Sequence, residues 1–175
     1  MVLAELASVH RMAVHLCRSR DTANDLVQET YLRVFRSANT YRNTEFGPRP
    51  WLFKILHNVW RNRLGKRSMS PAGEDFADQV IAPEPLPIDL DWDQVDERLK
   101  HAIDALPDNY RSVLLLWALE GMKYRQIADV TEIPIGTVMS RLFRARQLLM
   151  EGLAELAAEQ RLTGEPRLTA NVTDE

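Results

Sequence analysis

The sequence predicts an all-α protein: two small helical domains joined by an acidic, proline-containing linker. Three observations carry this expectation. Apolar residues recur at helical spacing on both sides of the chain's middle, and no stretch shows the strict apolar/polar alternation of a half-buried strand. Pro71, Pro83, Pro85 and Pro87, with Gly73, crowd between the two periodic parts, where proline removes backbone donors and disfavours helix. The charge is divided in the same way: residues 1–70 carry net +7, residues 71–97 net −9 with no basic residue, residues 98–161 net +1 and residues 162–175 net −2. The expected layout is a first domain over 1–68, a linker over 69–91, a second domain over 92–161 and a disordered tail over 162–175.

Composition narrows the function classes. An apolar content of 45% over 175 residues is enough to build helical cores. A single cysteine, Cys17, excludes an internal disulfide, and no Cys/His cluster has zinc spacing, so no metal or other cofactor is expected. No apolar run approaches the roughly 20 residues that cross a bilayer. The N-terminus lacks a secretory pattern, which predicts a cytoplasmic chain without membrane insertion. His10, His15, His57 and His101 are scattered, and no Ser/His/Asp, Cys/His or phosphate-loop signature is present, so an enzyme is not expected. The overall charge of −3 argues against nucleic acid only until it is divided by segment: the acid lies in the linker and tail.

The first domain reads as three helices. Leu3, Leu6, Ala13, Leu16 and Cys17 mark one face of the first. Asp21 or Thr22 caps the second, whose apolar stripe is Ala23, Leu26, Val27, Thr30, Tyr31, Val34 and Ala38. Pro50 suits the first turn of the third, with Leu52, Ile55, Leu56 and Val59 inward. The second helix turns Asp25, Gln28, Glu29 and Arg33 away from its stripe. The third ends in four cations, Arg61, Arg63, Lys66 and Arg67. With Asn58, Trp60 and Asn62 these suit a surface that tracks phosphates and reaches bases. The loop over 39–49 adds Asn39, Arg42 and Asn43 as hydrogen-bonding groups, with Tyr41, Phe46 and Trp51 as aromatic ones. That mixture fits unstacked single strands better than closed duplex, although Trp51 suits core packing at the helix start.

In the second domain, periodicity resumes near Trp92 through Val95, Leu99, Ala102, Ile103 and Leu106. Pro107 and Asp108 open another helix, stopped by Gly121. A short helix with Tyr124, Ile127, Ala128 and Val130, a tight turn and a long helix over 137–160 describe a helix-turn-helix. Val138, Leu142, Ala145 and Leu149 face inward. Thr137, Ser140, Arg141 and Arg144 fall at i, i+3, i+4 and i+7, the outward stripe that a recognition helix inserts into the major groove.

These pieces resemble the extracytoplasmic-function sigma factors of bacterial RNA polymerase. Asp25-Leu26-Val27-Gln28-Glu29-Thr30-Tyr31-Leu32-Arg33 looks like the region 2 helix, and Pro50-Trp51-Leu52-Phe53-Lys54-Ile55-Leu56-His57-Asn58 like the start of the promoter-reading helix. Leu106-Pro107-Asp108-Asn109-Tyr110-Arg111, Tyr124-Arg125-Gln126-Ile127-Ala128 and Ile133-Pro134-Ile135-Gly136-Thr137-Val138-Met139-Ser140-Arg141 resemble region 4. The resemblance implies a transcription initiation factor. Its partners would be promoter DNA and core RNA polymerase, at the coiled coil of the largest subunit and the flap, and it would join the nucleoid when in holoenzyme.

By the same resemblance, Asp25, Gln28, Glu29 and Arg33 dock on polymerase. Asn39, Arg42, Asn43, Asn58, Arg61 and Asn62 read and help open the −10 element, and Thr137, Ser140, Arg141 and Arg144 read the −35 element. The form of residues 134–142 is similar to a subgroup paired with anti-sigma factors, which implies such a partner. The rival reading is a helix-turn-helix regulator that acts as a dimer, through Leu149, Leu153 and Leu156, without docking on polymerase.

Overall fold

The computed structural model describes residues 2–38, 41, 47–65, 92 and 95–163, all helices and their connections. A 3-10 turn, Val2–Glu5, leads into α1, Leu6–Cys17; α2, Arg20–Ser37, and α3, Arg49–Gly65, complete the first unit. The second consists of α4, Glu97–Ala105, α5, Asp108–Ala118, α6, Tyr124–Thr131, and α7, Ile135–Thr163. The linker residues 69–91 and residues 164–175 lie outside the described residues. Residues 162 and 163, expected in the tail, still belong to α7.

The first unit is a helical hairpin crossed by a third helix. α1 buries Val9, Met12, Ala13 and Leu16 against α2. Leu3 and Leu6, expected on that face, are 62% and 45% exposed. The cause is local: residues 2–5 wind as 3-10 helix, which puts Leu3 out of phase with the α-helical stripe. Arg18 ends α1 in the left-handed conformation, φ 55°, with its N–H on the Val14 oxygen at 2.9 Å. α2 starts two residues earlier than a cap at Asp21 would give, because extended Ser19 takes the N-cap position and Asp21 sits in the first turn. Its stripe from Ala23 to Val34 is buried as predicted, while Ala38 is exposed. Thr30 can be buried there because its hydroxyl donates to the Leu26 oxygen at 2.7 Å.

α3 is buried on more than one face. Leu52, Phe53, Leu56, His57, Val59 and Trp60 are all inaccessible or nearly so, and Ile55 is half-buried. A helix packed on one side buries about three positions in seven. α3 buries more because α1 and α2 cover one side and α6, from the second unit, covers another.

In the second unit α7 is the spine, packed by α4, α5 and α6. Asp96 caps α4 by accepting from the Arg98 N–H at 2.8 Å. Gly121, at φ 60°, turns the chain after α5 and lets the Met122 N–H reach the Leu116 oxygen. Gln126 closes the start of α6 by accepting from the Lys123 N–H at 2.9 Å. Glu132 ends α6 at φ 58°, and Pro134 precedes α7. Val138, Leu142 and Ala145 are fully buried, which confirms the inward stripe of the long helix. Leu149 is half-buried and packs against this same core, and Gly152 lies against Ala102 of α4. The face proposed for a dimer is therefore largely occupied within the chain; the side chain of Leu156 lies outside the described residues.

The two units share one continuous core and a polar seam. Arg111, 1% exposed, donates from α5 to the Leu16 oxygen at 2.9 Å. Arg18 donates to the Leu106 oxygen at 2.9 Å. Arg49 meets Glu120 at 2.6 Å, and Lys54 and Arg61 meet Glu132 at 3.1 and 3.4 Å. At the edge the His15 and Trp92 rings lie 4.0 Å apart.

Candidate nucleic-acid interface

Three surfaces were expected, and the structure treats them differently. On α2, Asp25, Gln28 and Arg33 are exposed and Glu29 is half-buried. Glu29 is the hub of a charged cluster: Arg33 donates to it at 2.7 Å and Arg63 of α3 at 2.9 Å. The Arg63 hydrogen bond, foremost, holds its carboxyl below the usual range. Arg63 also reaches the Asp25 main-chain oxygen at 3.0 Å. Beside these polar groups lie Leu32, 55% exposed, and Phe35, 59% exposed. Both were missed in the sequence because only the polar members of that face were counted. Gln28, Leu32 and Phe35 follow at i, i+4 and i+7, so the face is amphipathic and suits a protein partner.

The second surface lies on α3. Arg61 and Asn62 are exposed and Asn58 is half-buried. Trp60, expected to join this surface, is 5% exposed and packs in the core beside the His57 ring, 5.4 Å away. His57 is itself buried, and desolvation first, then the charges of Arg61 and Arg141, lowers its pKa to about 4, so the ring is neutral at physiological pH. Asn39, Arg42, Asn43 and Phe46 of the preceding loop, and Lys66 and Arg67 after α3, lie outside the described residues. Tyr41 and Trp51 are described, and their rings meet at 5.0 Å, tilted by 51°, with Trp51 half-buried against the core as expected. An open cleft of about 420 Å³ runs between α2 and α3, lined by Arg33, Arg36, Ser37, Ile55 and Asn58.

The third surface is the start of α7. Arg144 is exposed and donates to Gln147 at 3.1 Å; Thr137, Ser140 and Arg141 are half-buried. The Ser140 hydroxyl donates to the Thr137 oxygen at 3.1 Å, within its own helix. Arg141 lies close enough to α3 for its charge to act on His57. The polar start of α7 and helix α3 are therefore neighbours in this structure, a juxtaposition that spacing along the chain does not reveal.

Two carboxylates that sequence reasoning passed over hold them together. Glu120 is 5% exposed, and burial pushes its pKa up even though Arg49 opposes that shift. Glu132 is exposed, and its pKa is held down by hydrogen bonds, from Lys54 foremost and also from Asn58. In the sequence both are acids at turns, indistinguishable from solvated ones. Among the described residues no group of three or more His, Cys, Asp or Glu side chains is placed to hold a metal, and no helix is long and apolar enough to cross a membrane.

Comparison with known proteins accounts for both units. A family model described as Sigma-70 region 2 matches residues 1–69, and one described as Sigma-70, region 4 matches residues 96–149. The chain is 36% identical over 155 residues to the ECF RNA polymerase sigma factor SigE of Mycolicibacterium smegmatis, covering 86% of this chain and 59% of that protein. It is 31% identical over 150 residues to the ECF RNA polymerase sigma factor EcfG of Rhodopseudomonas palustris, covering 85% and 80%. Its fold is similar to the sigma factor RpoE solved in complex with the anti-sigma factor NepR from Bartonella quintana, with a TM-score of 0.67, 27% identity, and coverage of 87% of this chain and 94% of that one.

Proposed function

As the chain belongs to the ECF RNA polymerase sigma factors, a family that directs promoter-specific transcription initiation, we propose how its surfaces divide that work. The first domain, 1–68, docks on core RNA polymerase through Asp25, Gln28, Glu29 and Arg33, with Leu32 and Phe35 supplying apolar contact. The same domain reads and opens the −10 element through Asn58, Arg61 and Asn62, joined by Asn39, Arg42 and Asn43 of its loop. The second domain, 92–161, reads the −35 element through Thr137, Ser140, Arg141 and Arg144. The observation that carries this is the order of the two regional matches along one chain, each falling on its own helical unit. A dimeric regulator leaves the first unit without a role.

Each reading surface alone is small, and one mismatch costs only about 1–3 kcal/mol. Tethering both domains to polymerase makes the second contact intramolecular and raises its effective concentration. Opening requires an unstacked base to be held, at a cost of a few kcal/mol. The cleft beside Asn58, flanked by Arg33 and Arg36, offers a polar acceptor site and two cations for a strand leaving the duplex. The work takes place in the cytoplasm, at the nucleoid, and an anti-sigma factor, as in the NepR complex of the related RpoE, is the expected antagonist.

The test is reconstitution with bacterial core polymerase on a genomic template set. New, promoter-specific start sites that fail when the spacer between the two elements is doubled support the reading. Undiminished initiation from the doubled spacer overturns it.

A further inference from the structure

The cations at the end of α3 do not share one surface. Arg61 meets Glu132 of the second unit, whereas Arg63, two residues on, lies across α2. Its guanidinium makes three hydrogen bonds there. Nε and Nη2 donate to Glu29 Oε2 at 3.2 and 2.9 Å, and Nη2 also donates to the Asp25 main-chain oxygen at 3.0 Å. Both hydrogens of Nη2 are thus used on α2. Arg33 donates to the other carboxylate oxygen, Oε1, at 2.7 Å.

This geometry constrains Glu29 more than an ordinary surface ion pair does. The bond to a main-chain oxygen fixes the guanidinium relative to the helix itself, so Arg63 does not simply follow the carboxylate. A carboxylate offers about four acceptor positions. Arg63 fills both on Oε2 and Arg33 takes one on Oε1, which leaves one on Oε1 for a donor from outside. The Arg63 and Glu29 side chains are 33% and 36% exposed, so the pair contributes little to folding. Its effect falls instead on the conformational freedom that Glu29 loses when a partner binds. A lysine could supply the charge at residue 63 but not the planar fork.

We propose that Arg63 belongs to the polymerase-docking face rather than to the phosphate-tracking surface, as a positioning residue that presents Glu29 Oε1 to a hydrogen-bond donor on core polymerase. The inference rests on the docking role given above to Asp25, Gln28, Glu29 and Arg33, and it extends that face from α2 onto the end of α3.

The experiment titrates the full chain, fluorescently labelled, with core polymerase. Arg63→Met should weaken binding by roughly two- to tenfold, the scale of ordering one or two side chains only on docking, with an unchanged melting temperature. Arg63→Lys should recover only part of that loss. Glu29→Ala removes the residue being positioned, so Arg63→Met should add little to it in the double variant. Arg20→Met, at an exposed cation outside the cluster, controls for the change in charge. In the free protein, carbon-13 titration of the Glu29 carboxyl should move up towards the ordinary glutamate range in Arg63→Met, a signal independent of polymerase.

Losses that multiply in the double variant, full recovery by lysine, or an unmoved Glu29 titration overturn the positioning role. A melting temperature that falls in step with affinity makes the role structural and overturns it too. So does intact core affinity with weaker, less salt-dependent promoter binding by the holoenzyme, which returns Arg63 to the phosphates. If Glu29→Ala leaves core affinity unchanged, the docking role of Glu29 itself fails. If Glu29→Ala weakens binding and Arg63→Met does not, the inference about Arg63 alone fails.

Discussion

Arg111 of α5 donates a 2.9 Å hydrogen bond to the main-chain oxygen of Leu16, near the end of α1 and 95 positions earlier in the chain. The same guanidinium reaches Asp108 at 2.7 Å and the Asp104 oxygen at 3.4 Å. A buried cation is costly unless its donors are matched; here the two terminal nitrogens bond groups of both domains, while Nε has no hydrogen-bond partner. Arg111→Met should lower stability by about 3 kcal/mol, because it strips the buried Leu16 oxygen of its donor and breaks a pair whose cation is buried. Urea denaturation followed by circular dichroism would show a lower midpoint. Arg111→Lys should recover only part of the loss, since one ammonium cannot reproduce the guanidinium fork. Equal stability of Met and wild-type proteins would remove Arg111 from the seam's energetics.

Leu32 and Phe35 are exposed, so truncating them should leave folding almost untouched. Their cost should appear at the polymerase surface instead. Leu32→Ala and Phe35→Ala should each weaken binding to core polymerase by about tenfold, the scale of an apolar anchor losing its buried area. Titration of labelled protein with core polymerase gives the affinity, and a melting curve gives the stability. Normal affinity with a lowered melting temperature would place them in the core rather than at an interface.

Arg144 is the exposed arginine of the stripe proposed to read the −35 element. Arg144→Ala should reduce discrimination against altered −35 sequences by about 1–3 kcal/mol, the range for one bidentate base contact, while sparing polymerase binding. A phosphate contact would give a different result: uniform weakening on every sequence and a shallower salt dependence. Transcription from matched and mismatched −35 templates separates the two.

The neutral His57 gives the fold a pH dependence with a definite sign. Its folded pKa is lowered to about 4, whereas an unfolded histidine titrates near 6.5. Below 6.5 the unfolded chain takes the proton first. The stability is complete above that value and is lost as pH falls towards 4, by on the order of 3 kcal/mol. His15 is also lowered to about 4, by burial first and then by Arg11 and Lys100, and adds in the same direction. Glu120, raised by burial, opposes the trend at the acid end. His57→Leu should flatten the slope of urea midpoint between pH 6.5 and 4. An unchanged slope would assign the acid sensitivity to other groups.

Much of the fold was legible because it rests on periodicity. Val138, Leu142 and Ala145 face inward as their spacing demands, and the stripe from Ala23 to Val34 on α2 is buried throughout. The failures have a common cause. The expected stripe of α3 omits Phe53, His57 and Trp60 because the helix is covered from two directions, and periodicity identifies one buried face, not two. Leu3 was misplaced by a 3-10 turn that shifts the phase. Glu120 and Glu132 left no trace at all, since an ion pair between residues 71 or more positions apart has no local signature. The candidate residues on α3 and α7 come from spacing and resemblance, but the packing of α3 on α6 has no signal in either.

Glu132 also has a backbone role. It holds φ 58°, a conformation that costs a non-glycine residue roughly 1–2 kcal/mol and that glycine adopts freely. The turn therefore forgoes a more stable residue and retains a carboxylate. One residue thus joins backbone strain in the α6–α7 turn to a carboxylate that reaches α3, so a single substitution there changes local rigidity and domain contact together.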